Sequence, residues 1–226
     1  MPVEMHPYRS ILFDLDGTLT DPKIGITRSV QYALGKLGIV VDDPGLLTGY
    51  IGPPLRASFK ERHGLSEDEA TLAMRHYRER YERAGMLENT AYDGVLQLLE
   101  RLGGSGRKLF LATSKPRVYA ERILRHFQMD RFFESIEGSE MDETRSDKGE
   151  LIAWLLEKHR LPRESTVMIG DRMHDIIGAA RNGLRSIGVG YGYGSREELR
   201  AARPTHYFDS LRELEDFLLG TPVERA

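Results

Sequence analysis

Ser10-Ile11-Leu12-Phe13-Asp14-Leu15-Asp16-Gly17-Thr18 sets a short apolar run directly before two aspartates, a glycine and a threonine. A continuous apolar run that breaks on polar residues suits a strand buried on both faces. Such strands belong to parallel sheets covered by helices, and ligands of open sheets of this kind bind beyond the carboxyl ends of the strands. The pattern recurs downstream. Lys108 to Thr113 ends at Ser114-Lys115-Pro116, and Thr166 to Gly170 ends at Asp171. Arg185 to Val189 runs into the Gly/Tyr stretch Gly190 to Gly194, and His206-Tyr207-Phe208 ends at Asp209-Ser210.

Helical patterns separate these runs. Val95, Leu96, Leu98, Leu99 and Leu102 mark one helix, and Leu151, Ile152, Leu155 and Leu156 another. Ser195 with Glu198, and Ser210 with Glu213, read as capping boxes. Alternating strands and helices from about Tyr92 onward predict an α/β fold: a Rossmann-like parallel sheet with helices on both faces. Between Asp21 and Asn89 no strand pattern is found. Ile26, Val30, Ala33, Leu34 and Leu37 share one helical face; Ala70, Ala73, Met74, Tyr77, Tyr81 and Ala84 share another, behind a Ser66/Glu69 capping box. Pro53-Pro54 suits the start of a short helix between them. The expected division is an α/β core of residues 1–20 and 90–226, with a helical cap domain inserted over 21–89.

Composition narrows the function classes. The 226 residues carry 32 Lys+Arg against 35 Asp+Glu, a net charge of −3. That balance does not suit binding to a nucleic-acid polymer, which needs excess Lys/Arg. The absence of cysteine excludes disulfides, thiolate catalysis and Cys-ligated metals. No apolar run approaches the ~18–20 residues that cross a bilayer, and no signal-like stretch opens the chain. A cytoplasmic protein without membrane attachment is expected.

Chemistry concentrates at the strand ends. Asp14 and Asp16 stand two apart, where a turn at Asp16-Gly17 lets them diverge into different roles; an ordinary Asp/Gly strand exit is the competing account. Asp171 ends another strand. Asp175 follows near a helix start, where a simple N-cap is a strong competitor. Two acidic strand ends in one sheet repel unless a cation lies between, and Mg²⁺ takes carboxylates together with waters and phosphate oxygens. Thr113-Ser114 suits either anion binding at a helix start or helix capping. Lys148 opens the Leu151–Leu156 helix against its dipole, which hints at a partner anion, although taken alone a solvated lysine is the better account. Taken together these positions fit metal-assisted chemistry on a phosphate. Trp154, Met173 and Met74 read as packing, His174 as a solvated or packed side chain, and the Tyr191–Gly194 stretch as a flexible connection at the site rim.

The combination resembles the haloacid dehalogenase superfamily, and within it the Mg²⁺-dependent phosphatases. Asp14-Leu15-Asp16-Gly17-Thr18-Leu19 matches the first motif, Thr113-Ser114 the second, Lys148 the third, and Gly170-Asp171 with Asp175 the fourth. The helical insertion is similar to the family's C1 cap. Ala112 to Pro116, Gly170 to Asp175 and Tyr191 to Ser195 are similar to its phosphoglycolate phosphatase and 5′-nucleotidase members. The resemblance implies a phosphomonoester hydrolase that forms an aspartyl-phosphate, with a small-molecule phosphate ester as substrate and Mg²⁺ as cofactor. It implies Asp14 as nucleophile and Asp16 as general acid and base, with Thr113, Ser114 and Lys148 on the phosphoryl group. The metal would be held by Asp14, Asp16 through its carbonyl, and Asp171, with Asp175 one shell further out. Family members occur as monomers and homodimers. A phosphomutase and a non-catalytic phosphate-binding module are the alternatives.

Substrate choice is expected from the cap. Gly49 to Arg56 is a Gly/Pro-rich turn between helices, where the family places a specificity loop. Arg56 and Lys60, four apart, would share a helix face and meet an anionic group of the substrate; a solvated basic face is the competing account. Tyr50 or Tyr191 would flank a base in a nucleoside monophosphate.

Overall fold

A computed structural model describes residues 8–220. Its centre is a six-stranded, all-parallel sheet built from β1 (Ser10–Phe13), β4 (Lys108–Pro116), β5 (Phe133–Ser139), β6 (Thr166–Gly170), β7 (Arg185–Val189) and β8 (His206–Phe208). Their order across the sheet is β5-β4-β1-β6-β7-β8. The Rossmann-like α/β architecture expected from the apolar runs is therefore the one observed. β1 lies between β4 and β6 in matched register, with Phe13 opposite both Leu111 and Ile169. This register brings the residues that follow the three strands to one edge.

Alternation along the strands divides the core. Leu12, Phe110 and Met168 face α6 (Lys148–His159) and α7 (Met173–Arg181), burying Leu151, Ile152, Leu155 and Ala179. Ile11, Phe13, Leu109, Val167 and Ile169 face the opposite side. There α4 (Val95–Gly104), α5 (Arg117–His126) and α9 (Leu211–Leu219) contribute Leu98, Leu99, Ile123, Leu124, Leu214 and Leu218. α8 (Arg196–Ala202) closes the β7–β8 connection.

β5 lies outside the five expected strands. Phe133-Glu134-Ser135-Ile136-Glu137-Gly138-Ser139 is an edge strand paired only with β4, and it carries two glutamates. Glu137 is nonetheless buried, because Lys158 reaches it at 2.6 Å and Ser135 at 2.5 Å.

The insertion leaves and rejoins the core through a two-stranded antiparallel pair, β2 (Thr20–Asp21) and β3 (Thr90–Ala91). Between them run α1 (Lys23–Lys36), a 3₁₀ segment (Pro44–Tyr50), α2 (Leu55–His63) and α3 (Glu67–Arg80). The Ser66/Glu69 and Ser210/Glu213 capping boxes form reciprocally. At α8, Ser195 accepts from Glu198 N–H, but the Glu198 side chain turns to Arg172 instead. α3 does not continue as an α-helix through Ala84: Tyr81–Gly85 form a π turn. Among the described residues no helix is long and apolar enough to cross a membrane.

Gly25 explains how this exit packs. A Cβ on Gly25 would lie 1.9 Å from the carbonyl oxygen of Gly85, and Gly25 N–H donates to Glu88 O at 3.0 Å. Gly25→Ala is expected to cost about 2 kcal/mol by overpacking against backbone. A lowered urea midpoint at unchanged m would show it.

Candidate active site

The chain end of β1 turns sharply. Asp14 N–H still pairs with Ile169 O at 2.9 Å, and then Leu15 O accepts from Leu19 N–H at 2.9 Å and Thr20 N–H at 3.0 Å. Gly17 takes φ +84°, and a Cβ there would fall 2.1 Å from Asp171 Oδ2. Glycine is thus needed twice over, for conformation and for space. Asp14 and Asp16 both end up buried.

Lys148 is the first residue of α6, where Asp147 caps the helix by accepting from Glu150 N–H at 2.9 Å. Its side chain is buried, not solvated. Nζ donates to Asp14 Oδ1 at 2.9 Å and Ala112 O at 2.7 Å, and lies 2.8 Å from Asp175 Oδ1. Burial alone would lower this ammonium's pKa, but Asp14 and Asp175 outweigh it and hold it up.

The fourth motif converges on the same point. Asp171 is fully buried; Oδ2 accepts from Tyr193 N–H at 2.7 Å, while Oδ1 has no hydrogen-bond partner among the described residues. Burial, with Asp14 and Asp175 nearby, pushes its carboxyl well above the usual range. α7 starts at Met173, earlier than a start at Asp175, and Asp175 Oδ2 accepts from Arg172 N–H at 3.1 Å. Asp175 therefore both ties the helix start and faces Lys148. Burial raises its pKa, Lys148 opposes, and Asp14 adds to the rise.

Asp14, Asp171 and Asp175 each offer an oxygen within 4.8 Å of the others. Lys148 answers Asp14 and Asp175 but not Asp171, the donors are all hard oxygens, and Asp171 Oδ1 lacks a hydrogen-bond partner among the described residues. That set fits Mg²⁺.

Thr113 is buried on β4, which runs on through Pro116, past the Ser114 break expected. Its Oγ1 accepts from Lys115 N–H at 3.3 Å; Ser114 O accepts from Ser139 Oγ at 3.0 Å, and Ser114 lines a cavity. The cavity lies between the insertion and the sheet edge. Asp16, Ser114 and Lys115 line it from one side, Tyr77, Tyr81 and Arg56 from the other.

Arg56 is not a free cation there. Its Nε pairs with Glu143 at 2.8 Å and its NH1 with Glu67 at 3.1 Å and Thr71 at 2.8 Å. Lys60 joins Glu67 at 2.7 Å, so both basic residues converge on a glutamate of the insertion itself. Tyr50 is buried between Phe59 and His63. Tyr191 packs on Tyr92 and donates to Thr18 O at 3.1 Å.

Two residues go unassigned from the sequence, and one stretch reads differently there. Lys115, next to Thr113-Ser114, sends its ammonium to Asp16 Oδ2 at 2.5 Å. Arg172, inside the fourth motif, donates to Ile51 O of the insertion and pairs with Glu198 at 2.9 Å. The Gly190–Gly194 stretch is not a loose rim connection: a Cβ on Gly192 would lie 2.4 Å from Asp171 Oδ2, and one on Gly194 2.0 Å from Asp171 O. Gly192 and Gly194 let backbone wrap Asp171, and Tyr193 N–H orients the carboxylate. Met173 is 37% exposed, so it does not serve as core packing.

A family model for haloacid dehalogenase-like hydrolases matches residues 11–189, spanning the paired aspartates, Lys148 and the carboxylate cluster. The chain belongs to that family. Among its relatives, a 5′-nucleotidase of Pseudomonas aeruginosa is 54% identical, covering 93% of this chain and 96% of that protein. Mycobacterium tuberculosis "Tyrosine-protein kinase PtkA" is 41% identical over 81% of this chain, which spans 62% of that protein. A phosphoglycolate phosphatase of Vibrio parahaemolyticus is 29% identical, covering 90% and 93%. The crystal structure of a predicted phosphatase from Clostridium acetobutylicum superposes with a TM-score of 0.92 at 44% identity, over 94% of this chain and 99% of that one. The family model and the 5′-nucleotidase and phosphoglycolate phosphatase relatives support a family enzyme of the phosphatase type.

Proposed function

We propose that the enzyme hydrolyses phosphomonoesters through an aspartyl-phosphate on Asp14, and that its preferred esters are nucleoside 5′-monophosphates. The observation that carries the hydrolase reading is the arrangement around Asp14. A buried lysine holds one of its oxygens, a second aspartate stands two residues away facing a cavity, and two further buried carboxylates adjoin it.

Asp14 attacks phosphorus, Lys148 offsets the crowded negative charge, and Thr113 with the Ser114 amide takes phosphoryl oxygens. Asp16 protonates the departing oxygen and then takes a proton from the attacking water. Its burial favours the protonated form, against the opposing pull of Lys115. Asp14, Asp171 and the Asp16 carbonyl would hold Mg²⁺, with Asp175 behind them; the ion would supply charge neutralisation on the phosphoryl oxygens. Residues 21–89 act in this reading as a cap that closes the cavity and excludes water. The chain works as a monomer or homodimer away from membranes.

The cavity's far end supports a neutral, ring-bearing leaving group. Tyr77 stacks on Tyr81 at 5.2 Å, and Tyr119 meets Tyr81 edge-on at 5.4 Å. Arg56 is already engaged by two carboxylates, which disfavours the carboxylate of 2-phosphoglycolate. In a Mg²⁺-supplemented phosphate-release screen, nucleoside monophosphates are expected to exceed 2-phosphoglycolate at least about tenfold in kcat/KM, as one well-placed binding contact allows. The reverse order overturns the substrate class. Phosphate transfer within a sugar phosphate, without release, favours the mutase instead. Arg56→Ala should raise KM more than it lowers kcat if Arg56 reaches substrate on closure.

A further inference from the structure

Lys115 has no place in the four motifs, yet it occupies the catalytic edge. Its side chain is 6% exposed. Nζ lies 2.5 Å from Asp16 Oδ2, donates to the Tyr81 hydroxyl at 2.9 Å, and sits 5.0 Å over the Tyr81 ring centre. Lys148 serves Asp14 and Asp175, so each aspartate of the first motif has its own lysine.

The two oxygens of Asp16 are not equivalent. Oδ2 is held by Lys115; Oδ1 is buried and has no hydrogen-bond partner among the described residues. A carboxyl group turns easily about its last bond, whose torsional wells are broad, and a proton donor needs its oxygen within hydrogen-bond reach of the acceptor. We propose that Lys115 is a positioning residue for the acid–base steps: it pins Asp16 Oδ2 so that Oδ1 meets the leaving group, and Tyr81 pins Lys115. The proposal rests on the phosphoryl-transfer reading above.

The steps balance through one oxygen. An Asp14 oxygen bonds to phosphorus while the phosphorus–ester oxygen bond breaks, and the proton on Asp16 Oδ1 passes to the departing oxygen. Water oxygen then bonds to phosphorus, one of its protons goes to Asp16 Oδ1, and the Asp14–phosphorus link breaks to free inorganic phosphate. Tyr81 opens the π turn whose last residue, Gly85, abuts Gly25. The backbone at the insertion's exit thereby sets where Lys115 is anchored.

Leaving-group dependence tests this. The ratio kcat/KM covers steps through departure of the leaving group, and p-nitrophenolate departs without a proton. Lys115→Met is expected to lower kcat/KM about 100-fold on a nucleoside monophosphate and to keep it within about threefold on p-nitrophenyl phosphate, the signature of a lost general acid. A burst of nitrophenol should accompany the second reaction, because water activation also needs Asp16. Equal losses on both esters, or no loss on the nucleotide, overturn the proposal. Tyr81→Phe keeps the ring and the ion pair, and should show the same selectivity at smaller size. It decides the matter if Lys115→Met does not fold: no selectivity there overturns the assignment. Wild-type enzyme that hydrolyses neither ester overturns the hydrolase reading itself, and the role of Lys115 with it.

Discussion

Asp14→Asn is expected to lower turnover by about three orders of magnitude or more, because it removes the attacking atom while keeping the shape of the side chain. The amide is a poor nucleophile and cannot form the acyl-phosphate. The fold should survive the change. Asp14 stands among Asp16, Asp171 and Asp175, so losing one charge relieves repulsion, and Lys148 keeps Asp175 and Ala112 O as partners. An unchanged or raised melting temperature beside a collapsed rate is the expected pair of readings. A variant that keeps a tenth of the wild-type rate would remove Asp14 from the role of nucleophile. Asp16→Asn should also be severe, and with p-nitrophenyl phosphate it should accumulate phosphoenzyme.

Chelation is expected to abolish activity, and Mg²⁺ to restore it. The physical cause is the crowding of three buried carboxylates, of which Lys148 answers only Asp14 and Asp175, with Asp171 Oδ1 unsatisfied among the described residues. Ca²⁺ should not replace Mg²⁺, since it takes 6–8 oxygens at longer distances and loosens in-line geometry. Binding can also be read without turnover: Mg²⁺ at 100 times its Kd should stabilise the fold by about 2.7 kcal/mol. Asp171→Ala should erase that gain, and Asp175→Ala should reduce it. Full activity in excess EDTA would rule out the metal.

Much of this site is legible in the sequence because its residues interrupt apolar strands. Asp14, Thr113 and Asp171 each follow a buried run, and parallel register carries three such ends to one edge. Lys148 is legible only in part: its place against the helix dipole hints at an anion, but burial decides between that and a solvated side chain. β5 escapes because an edge strand tolerates glutamates when distant residues such as Lys158 answer them. Lys115 escapes because nothing local shows that Asp16, almost one hundred positions earlier, lies against it. Arg56 reads as a free cation from helical spacing alone. Glu143, which neutralises it, comes from a loop 87 residues away. The glycines at 190–194 read as looseness, whereas close approach to Asp171 requires Gly192 and Gly194, and close approach to Tyr207 requires Gly190.

The β2–β3 pair carries a topological consequence. Asp21 lies opposite Thr90, so the chain departs and returns at neighbouring points. Everything between is an excursion whose two ends already touch. Such an excursion can lengthen, shorten or be exchanged over evolutionary time without disturbing the order of the six parallel strands. A graft that joins Asp21 to Thr90 through a few residues would leave β1 and its aspartates in place while uncovering them, and would turn an enclosed cavity into an open ledge.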